Sequence, residues 1–472
     1  MSRFLFSHSI RRIARPQFQR QHLLTPQREF IPVLLGGLAV LAVGTLARYV
    51  VRTKLRVDEE EERAKSLNPD DDSLGNVNSL AKILQVKSIG VDMGSSFCRL
   101  SIRNGETTNV MENSSGQYGM PSHILNTADG VVVGSFAKQN RFMKSSNALC
   151  GYHLLAGLPP TDSFAAEAMQ SLHLTPAEDG GDDKEISATA YGESFSASQM
   201  RSIFAKELFT TAASKDLEAA LLPAIISVPN YFSDEQKLAA VESARLGGLN
   251  IIYAIPDALS SVLGMHQRGL IPELLGQYVV VDVGGSLTQL SVIDCKAVDE
   301  EPTVIAERTI FSGSDAVNDI IANFVAEKFK ADTGIDLLQD AMAKQRLYDS
   351  IESLKVDLSS AMSSSLNVPY ITADAQGLPQ HLEMDISRST FENLISAHTS
   401  IFAAPMQEVL ADAGITNPSV QVKGQIVVGG GARVPVVLRT LEGIFGESTV
   451  TLYEKEPEDV NVVGAAQYPK HY

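Results

Sequence analysis

The chain of 472 residues predicts a large α/β protein built from two similar lobes. Two observations carry that expectation. From about Ala81 onward, apolar strand-like runs alternate with amphipathic helix-like runs. One local pattern also occurs twice. Val91-Asp92-Met93-Gly94-Ser95-Ser96, running on to Leu100-Ser101, returns as Val281-Asp282-Val283-Gly284-Gly285-Ser286, running on to Leu290-Ser291. In each copy an aspartate ends a short apolar run, and a glycine two residues later opens a tight turn. Small residues at such a turn let backbone N–H groups approach an anion closely. Either copy alone would suit an ordinary β-hairpin. Their recurrence sets two carboxylates facing one ligand, a pair suited to a metal–phosphate unit.

Strands are expected at residues 88–91, 224–228, 251–254, 278–281, 290–293 and 424–428, each a short apolar run. Helices are expected at 198–211, 233–246, 315–330, 342–362 and 387–413. The third of these carries Val317, Ile320, Ile321, Phe324 and Val325 at helical spacing, so one face is apolar. Residues 179–184 and 374–379 read as exposed turns. Another glycine-rich turn, Gly429-Gly430-Gly431-Ala432-Arg433, follows a strand and opens a helix at 436–443. Backbone N–H groups at such a start can meet a phosphate or the edge of a nucleoside.

Charge separates the first part of the chain from the rest. Residues 1–56 carry ten Lys or Arg against one acid, so the remainder holds −26 of a net −17. An acidic body argues against a nucleic-acid partner, because phosphate contacts need clustered Lys and Arg. Residues 1–28 are Arg-rich and acid-free, with Phe6, Ile10 and Ile13 on one helical face and His8, Arg11, Arg12 and Arg15 on the other. That is the make-up of a mitochondrial targeting segment. Residues 30–51 form an apolar run interrupted only by Arg48 and flanked by basic residues, near the short limit for a membrane span. The expectation is a single-pass anchor, in the inner mitochondrial membrane or, alternatively, as a signal-anchor of the endoplasmic reticulum. Residues 52–80, with Asp58-Glu59-Glu60-Glu61-Glu62, read as a solvated linker, and 81–472 as the folded body. The widely spaced Cys98, Cys150 and Cys295 match no metal-ligand pattern and read as buried thiols, with one disulfide left open.

From residue 88 to 468 the motifs resemble the nucleotide-binding domain of the seventy-kilodalton heat-shock (DnaK-like) chaperones, in the actin-like ATPase superfamily. The first phosphate loop resembles Ile89-Gly90-Val91-Asp92-Met93-Gly94-Ser95-Ser96, and the second Asp282-Val283-Gly284-Gly285. Val228-Pro229-Asn230-Tyr231-Phe232 resembles the family's V-P-x-Y-F segment, and Gly464-Ala465-Ala466 its closing motif.

The resemblance implies an actin-like fold clamping ATP or ADP between its lobes, with Asp92 and Asp282 holding Mg²⁺ through waters. It assigns phosphate contacts to Gly94, Ser95, Ser96, Gly284, Gly285 and Ser286. It assigns the nucleoside to Glu352, Lys355, Ser359, Gly429, Gly430, Gly431, Arg433 and Glu458. Departures fall on the catalytic side. The family's catalytic lysine position falls on His153 and its catalytic glutamate on Asp257, while Leu287 and Gln289 replace a hydroxyl and a carboxylate. Losing one such electrostatic group commonly costs roughly 10²–10³ in rate. The implied function is a membrane-anchored chaperone-like protein that binds ATP or ADP and hydrolyses it weakly or not at all, acting in protein folding or quality control through protein partners. The alternatives are an active ATPase module served by a separate substrate-binding partner, and a structural subunit of a membrane complex. The family's substrate domain has no counterpart before Tyr472, so no peptide-clamping cycle is expected within these residues.

Overall fold

The computed structural model describes residues 87–471, apart from residues 114, 178–184, 298–299 and 447–448. The targeting segment, anchor and linker expected within residues 1–80 lie outside the described residues, as does the turn expected at 179–184. Among the described residues no helix is long and apolar enough to cross a membrane.

The first lobe begins with β1 (Lys87–Met93) and β2 (Phe97–Asn104), antiparallel and in register so that Asp92 faces Arg99. Strand β3 (Thr107–Val110) extends this meander on the far side of β2. Helix α1 (Ala197–Lys215) starts at a capping box, in which Ser196 accepts from the Gln199 N–H and Gln199 accepts from the Ser196 N–H. It leads to β4 (Ala224–Val228), parallel to β1. Helix α2 (Asp234–Leu246) opens on a second capping box, Ser233 with Gln236. Then come β5 (Ile251–Pro256), parallel to β4, and α3 (Asp257–Gln267).

The second lobe repeats the plan. Strands β6 (Gly276–Val283) and β7 (Thr288–Cys295) form the second aspartate hairpin, with Asp282 facing Gln289, and β8 (Thr303–Ile310) continues it. Two long helices follow, α4 (Ser314–Thr333) and α5 (Ala341–Ser360). After them come β9 (Gly424–Val428), parallel to β6, helix α6 (Pro435–Phe445), β10 (Thr451–Tyr453) and α7 (Val460–His471). The sheets run β5-β4-β1-β2-β3 and β10-β9-β6-β7-β8, the same topology twice, with a short extra strand, Met120–Pro121, against β2. Even the hairpin turns match: the Gly94 N–H donates to Phe97 O at 3.1 Å and the Gly284 N–H to Leu287 O at 2.8 Å.

Each lobe has its own apolar core, and a third cluster joins them. The joint holds Ile225 and Ile255 from the first sheet and Val280, Ile426 and Val428 from the second. Leu259, Val262 and Leu263 of α3, with Val460 and Ala465 of α7, belong to it too. Helices α3 and α7 thus share the layer that links the sheets. They approach as closely as backbones allow: a Cβ on Gly464 would fall 1.7 Å from Ser260 O, and one on Gly264 2.3 Å from Val460 O. Gly90 lets the same helix onto β1, where a Cβ would sit 2.0 Å from Val462 O. The Gly464-Ala465-Ala466 motif therefore marks a helix crossing.

Some elements differ from expectation. The helix expected over 387–413 is two, Arg388–Ser400 and Ala403–Asp412. Pro405 has no N–H to continue a single helix, and the break lets Phe402 and Met406 enter the second core. The turn expected near Asp374 joins a long hairpin, Ser363–Ala373 with Pro379–Ser387, that its alternating polar residues did not reveal. Asp374 Oδ1 accepts from the Gln376 and Leu378 N–H groups and fixes that turn. Cys98 and Cys295 are buried, but Cys150 is exposed, a correction to the reading of three buried thiols; all three are free.

Gly464→Ala should lower the free energy of unfolding by about 2–3 kcal/mol, read as a fall in urea midpoint, because neither backbone at the crossing can yield cheaply. Gly443→Ala, on an exposed turn of α6 with open space around it, should leave stability equal or higher by about 0.5–1 kcal/mol. Equal effects at both positions would contradict the crossing.

Candidate functional site

A cavity of about 670 Å³ lies between the lobes, within the range of small-molecule sites. Its walls are the turns of both aspartate hairpins, the Gly429–Arg433 turn and one face of α5. The fold explains this placement. Asp92 and Asp282 stand at equivalent ends of the first strands of two identically wound sheets, and strand ends of open sheets border ligand crevices.

The floor is a cluster of carboxylates, Asp257 and Asp282 buried and Asp92 half-buried. Desolvation raises Asp92 to about 7, helped by repulsion from Asp282 and opposed by Arg99 and Arg201. Asp257, at the start of α3, is pushed well up by burial and by repulsion from Asp282 and Asp92. Asp282 is raised by burial and steadied by Asn461, whose Nδ2 donates to Oδ2 at 2.8 Å. Among the described residues no group of three metal-ligating side chains is placed to hold a bare ion. The oxygens of Asp92 and Asp282 suit a hard divalent cation such as Mg²⁺ only where waters or phosphate oxygens complete its shell. The glycines provide a close-fitting cradle. A Cβ on Gly285 would fall 1.7 Å from Ser96 Oγ, and one on Gly429, where φ is +82°, 2.4 Å from Val283 O. Gly430 faces open space. The residues present therefore fit a magnesium–polyphosphate.

The two turns also touch each other. The Ser286 N–H donates to Ser95 Oγ at 2.9 Å, while Ser96 Oγ (3.2 Å) and Ser286 Oγ (3.0 Å) both donate to Asp315 Oδ2. Higher in the cleft, Lys138 Nζ lies 2.6 Å from Glu352 Oε2, joining the first lobe to α5. Arg433 and Glu458, both assigned to the nucleoside, pair with each other at 2.7 and 3.0 Å. Lys355 is half-buried; desolvation lowers the pKa of its ammonium, which donates to Ser314 O at 3.0 Å.

Of the residues singled out from sequence, Asp92, Gly94, Ser95, Ser96, Asp257, Asp282, Gly284, Gly285, Ser286, Glu352, Lys355, Gly429, Gly430, Arg433 and Glu458 line this one cleft. Three stand outside its lining. Ser359 donates to its own helix, at Lys355 O. Gly431 is buried against Val283, where a Cβ would fall 2.5 Å from Cγ1. His153 is 1% exposed, behind the first loop; its Nε2 meets Gly94 O at 3.1 Å and its ring stands edge-on to Phe204. Desolvation, then Arg201, drives its pKa down to about 3. Such an imidazole is neutral, so Nε2–H donates to the Gly94 carbonyl, beside the Ser122 hydroxyl that donates to the same oxygen at 2.7 Å. At this position the chain holds a buttress for the loop rather than a charge on the cleft surface.

A family model for Hsp70 protein matches residues 88–468, a stretch that includes every residue of the cleft. The chain belongs to the Hsp70 family. An Hsp70-family domain of mixed α/β sheets supports a chaperone-like, nucleotide-binding protein. Within this Hsp70 site the sequence alone missed Lys138, Asp315, Asn461 and Arg201. Lys138 meets Glu352 only because the fold brings together residues 214 positions apart. Asp315 and Asn461 carry no local motif at all.

The nucleotide-free protein should titrate through Asp92. With its pKa raised above the unfolded value of 3.8, its favourable contribution is full below that value and is lost as pH rises through about 7. Asp92→Asn should therefore unfold at higher temperature than wild type at pH 8, by roughly 1–2 kcal/mol, with the difference closing near pH 4. His153 and the half-buried His123, also driven to about 3 by desolvation first, act in the opposite sense. Their contribution is full above 6.5 and lost on acidification toward 3, so replacing His123 with Asn should flatten the decline in stability from pH 6.5 to 4.

Proposed function

We propose that this Hsp70-family chain is a membrane-anchored, chaperone-like protein that holds ATP or ADP with Mg²⁺ in the interlobe cleft and hydrolyses it slowly or not at all. The observation that carries the reading is the state of Asp257. Gln289 Nε2 donates to its Oδ2 at 2.8 Å, and the Asn230 N–H donates to Gln289 Oε1 at 2.7 Å, so the amide cannot turn over. The candidate base is thereby clamped across the lobes, while His153 stays neutral behind the loop. With Oδ2 so engaged, and with burial and the neighbouring Asp282 and Asp92 pushing the group toward its protonated form, Asp257 is a weakened base for drawing a proton from water.

Asp92 and Asp282 would hold the metal, with Asn461 keeping Asp282 oriented. The ion's contribution is neutralisation of polyphosphate charge. The glycine turns would receive phosphate oxygens on backbone N–H groups, with Ser95 and Ser96 exchanging their cross-cleft bonds for the ligand. Glu352, Lys355 and Arg433 border the nucleoside end, so the Lys138–Glu352 and Arg433–Glu458 ion pairs and the Lys355 bond to Ser314 O would open or shift on binding. The basic 1–28 segment and the apolar 30–51 run support tethering to a mitochondrial membrane, where protein partners would read the nucleotide state.

A second reading is favoured by the cross-cleft bonds themselves. Ser95 with Ser286, Ser96 with Asp315 and Lys138 with Glu352 hold the lobes together through the chain's own groups. A structural subunit that keeps its shape without ligand would look the same.

Titration of the full-length protein with Mg·ATP and Mg·ADP separates the two. Binding should stabilise the fold by about 2.7 kcal/mol at 100 times the dissociation constant, and Asp282→Asn should abolish the magnesium-dependent part. Single-turnover hydrolysis should be absent or slow, and His153→Lys should not restore it, since it buries an ammonium beside Arg201. No stabilisation by either nucleotide at high micromolar concentration would leave the structural reading.

A further inference from the structure

We propose that Arg201 supplies the fixed positive charge of the phosphate end of the cleft, acting as a positioning residue from behind the first loop; this rests on the nucleotide reading above. Arg201 lies on α1, is 1% exposed and ranks among the largest fully buried side chains. Its Nη1 donates to His153 O at 3.3 Å, while Nε and Nη2 have no hydrogen-bond partner. The Phe232 ring, 5.9 Å from the guanidinium carbon, is its other neighbour of note.

The other cations bordering the cleft are engaged and would reach a nucleotide only by giving up their partners. Arg99 pairs with Asp459 at 3.1 Å, Lys138 with Glu352, Arg141 with Asp349 at 3.5 Å and Arg433 with Glu458, and Lys355 donates to Ser314 O. Among the described residues Arg201 forms no ion pair. A guanidinium buried without a direct partner is costly unless a field offsets it. Asp92 and Asp257 of the floor supply that field, across the loop that Arg201 holds through the His153 carbonyl and the His153 ring on Gly94 O.

The same charge is one reason His153 stays neutral. Positive charge has thus moved one layer back, from the loop surface to α1. From there it reaches the site by two routes. Its field crosses a poorly hydrated interior, where screening is weak. Its hydrogen bond continues mechanically, Arg201 to the His153 carbonyl and the His153 imidazole to the Gly94 carbonyl, at the turn that would cradle phosphate.

An electrostatic role and a packing role give different signs. Full-length wild type, Arg201→Met and Arg201→Lys are titrated separately with ATP in EDTA and with Mg²⁺ alone, binding being followed by thermal shift. If Arg201 is the charge of the site, Arg201→Met weakens metal-free ATP by at least about fivefold and tightens Mg²⁺, while Arg201→Lys keeps both within about twofold of wild type. Loss of both affinities together, or change in neither, overturns the proposal. If Arg201→Met does not fold, the lysine variant decides: retention of both affinities supports the charge, and a fivefold loss of ATP binding refutes it. Wild type that binds no nucleotide refutes the nucleotide reading itself. Wild type that binds, beside an Arg201→Met that behaves identically, refutes only the role of Arg201.

Discussion

Three aspartates in one crevice, Asp257 and Asp282 buried and Asp92 half-buried, are the constraint to which the surroundings answer. Each is pushed toward its neutral form by burial, and like charges so placed cannot all ionise without help. The help is distributed. Asn461 donates to Asp282, Gln289 to Asp257, and Arg99 and Arg201 act on Asp92. These partners come from α7, β7, β2 and α1. The site is therefore a property of the assembled body, and a polyvalent cation would complete the charge balance.

The scaffold brings these elements together by a backbone device. Helices α3 and α7 touch through Gly264 and Gly464, and α7 lies on β1 through Gly90. Ser88 Oγ and Arg103 Nε both donate to Ala466 O, and Ser101 Oγ to Val462 O, so buried polar groups of the first sheet fix the helix in register. Ser261 Oγ donates to Asn461 Oδ1, which leaves the Asn461 amide nitrogen aimed at Asp282. Core packing and carboxylate chemistry are thus coupled by one helix. This is why a family-like closing motif belongs with a catalytic-looking cleft almost two hundred residues earlier in the chain.

Much was legible before folding. The two aspartate hairpins are in place because their pattern is local: an apolar run, an aspartate, then a glycine turn. Strand 224–228 is five consecutive apolar or small residues between two prolines, and 424–428 ends in Ile426-Val427-Val428 before a glycine run. The helices expected over 198–211 and 233–246 are α1 and α2, and the structure adds the capping boxes that open them at Ser196 and Ser233. The hairpin after α5 escaped notice because its outward residues, Ser363, Ser365 and Asn367, are polar and its inward ones few. The long helix over 387–413 was overdrawn because apolar spacing continues through Pro405, whereas hydrogen bonding cannot.

The site divides in the same way. Sequence by itself determined the fold, the duplicated carboxylates, the glycine cradles and membership of the family, since each depends on residue type and short-range order. Tertiary structure alone decided which charges are spent and which remain. It paired Arg433 with Glu458 and Lys138 with Glu352, retired His153 behind the loop, clamped Asp257 with Gln289, and left Arg201 buried without an ion pair. Charge compensation depends on distance and burial between residues remote in the chain, and a linear pattern carries neither.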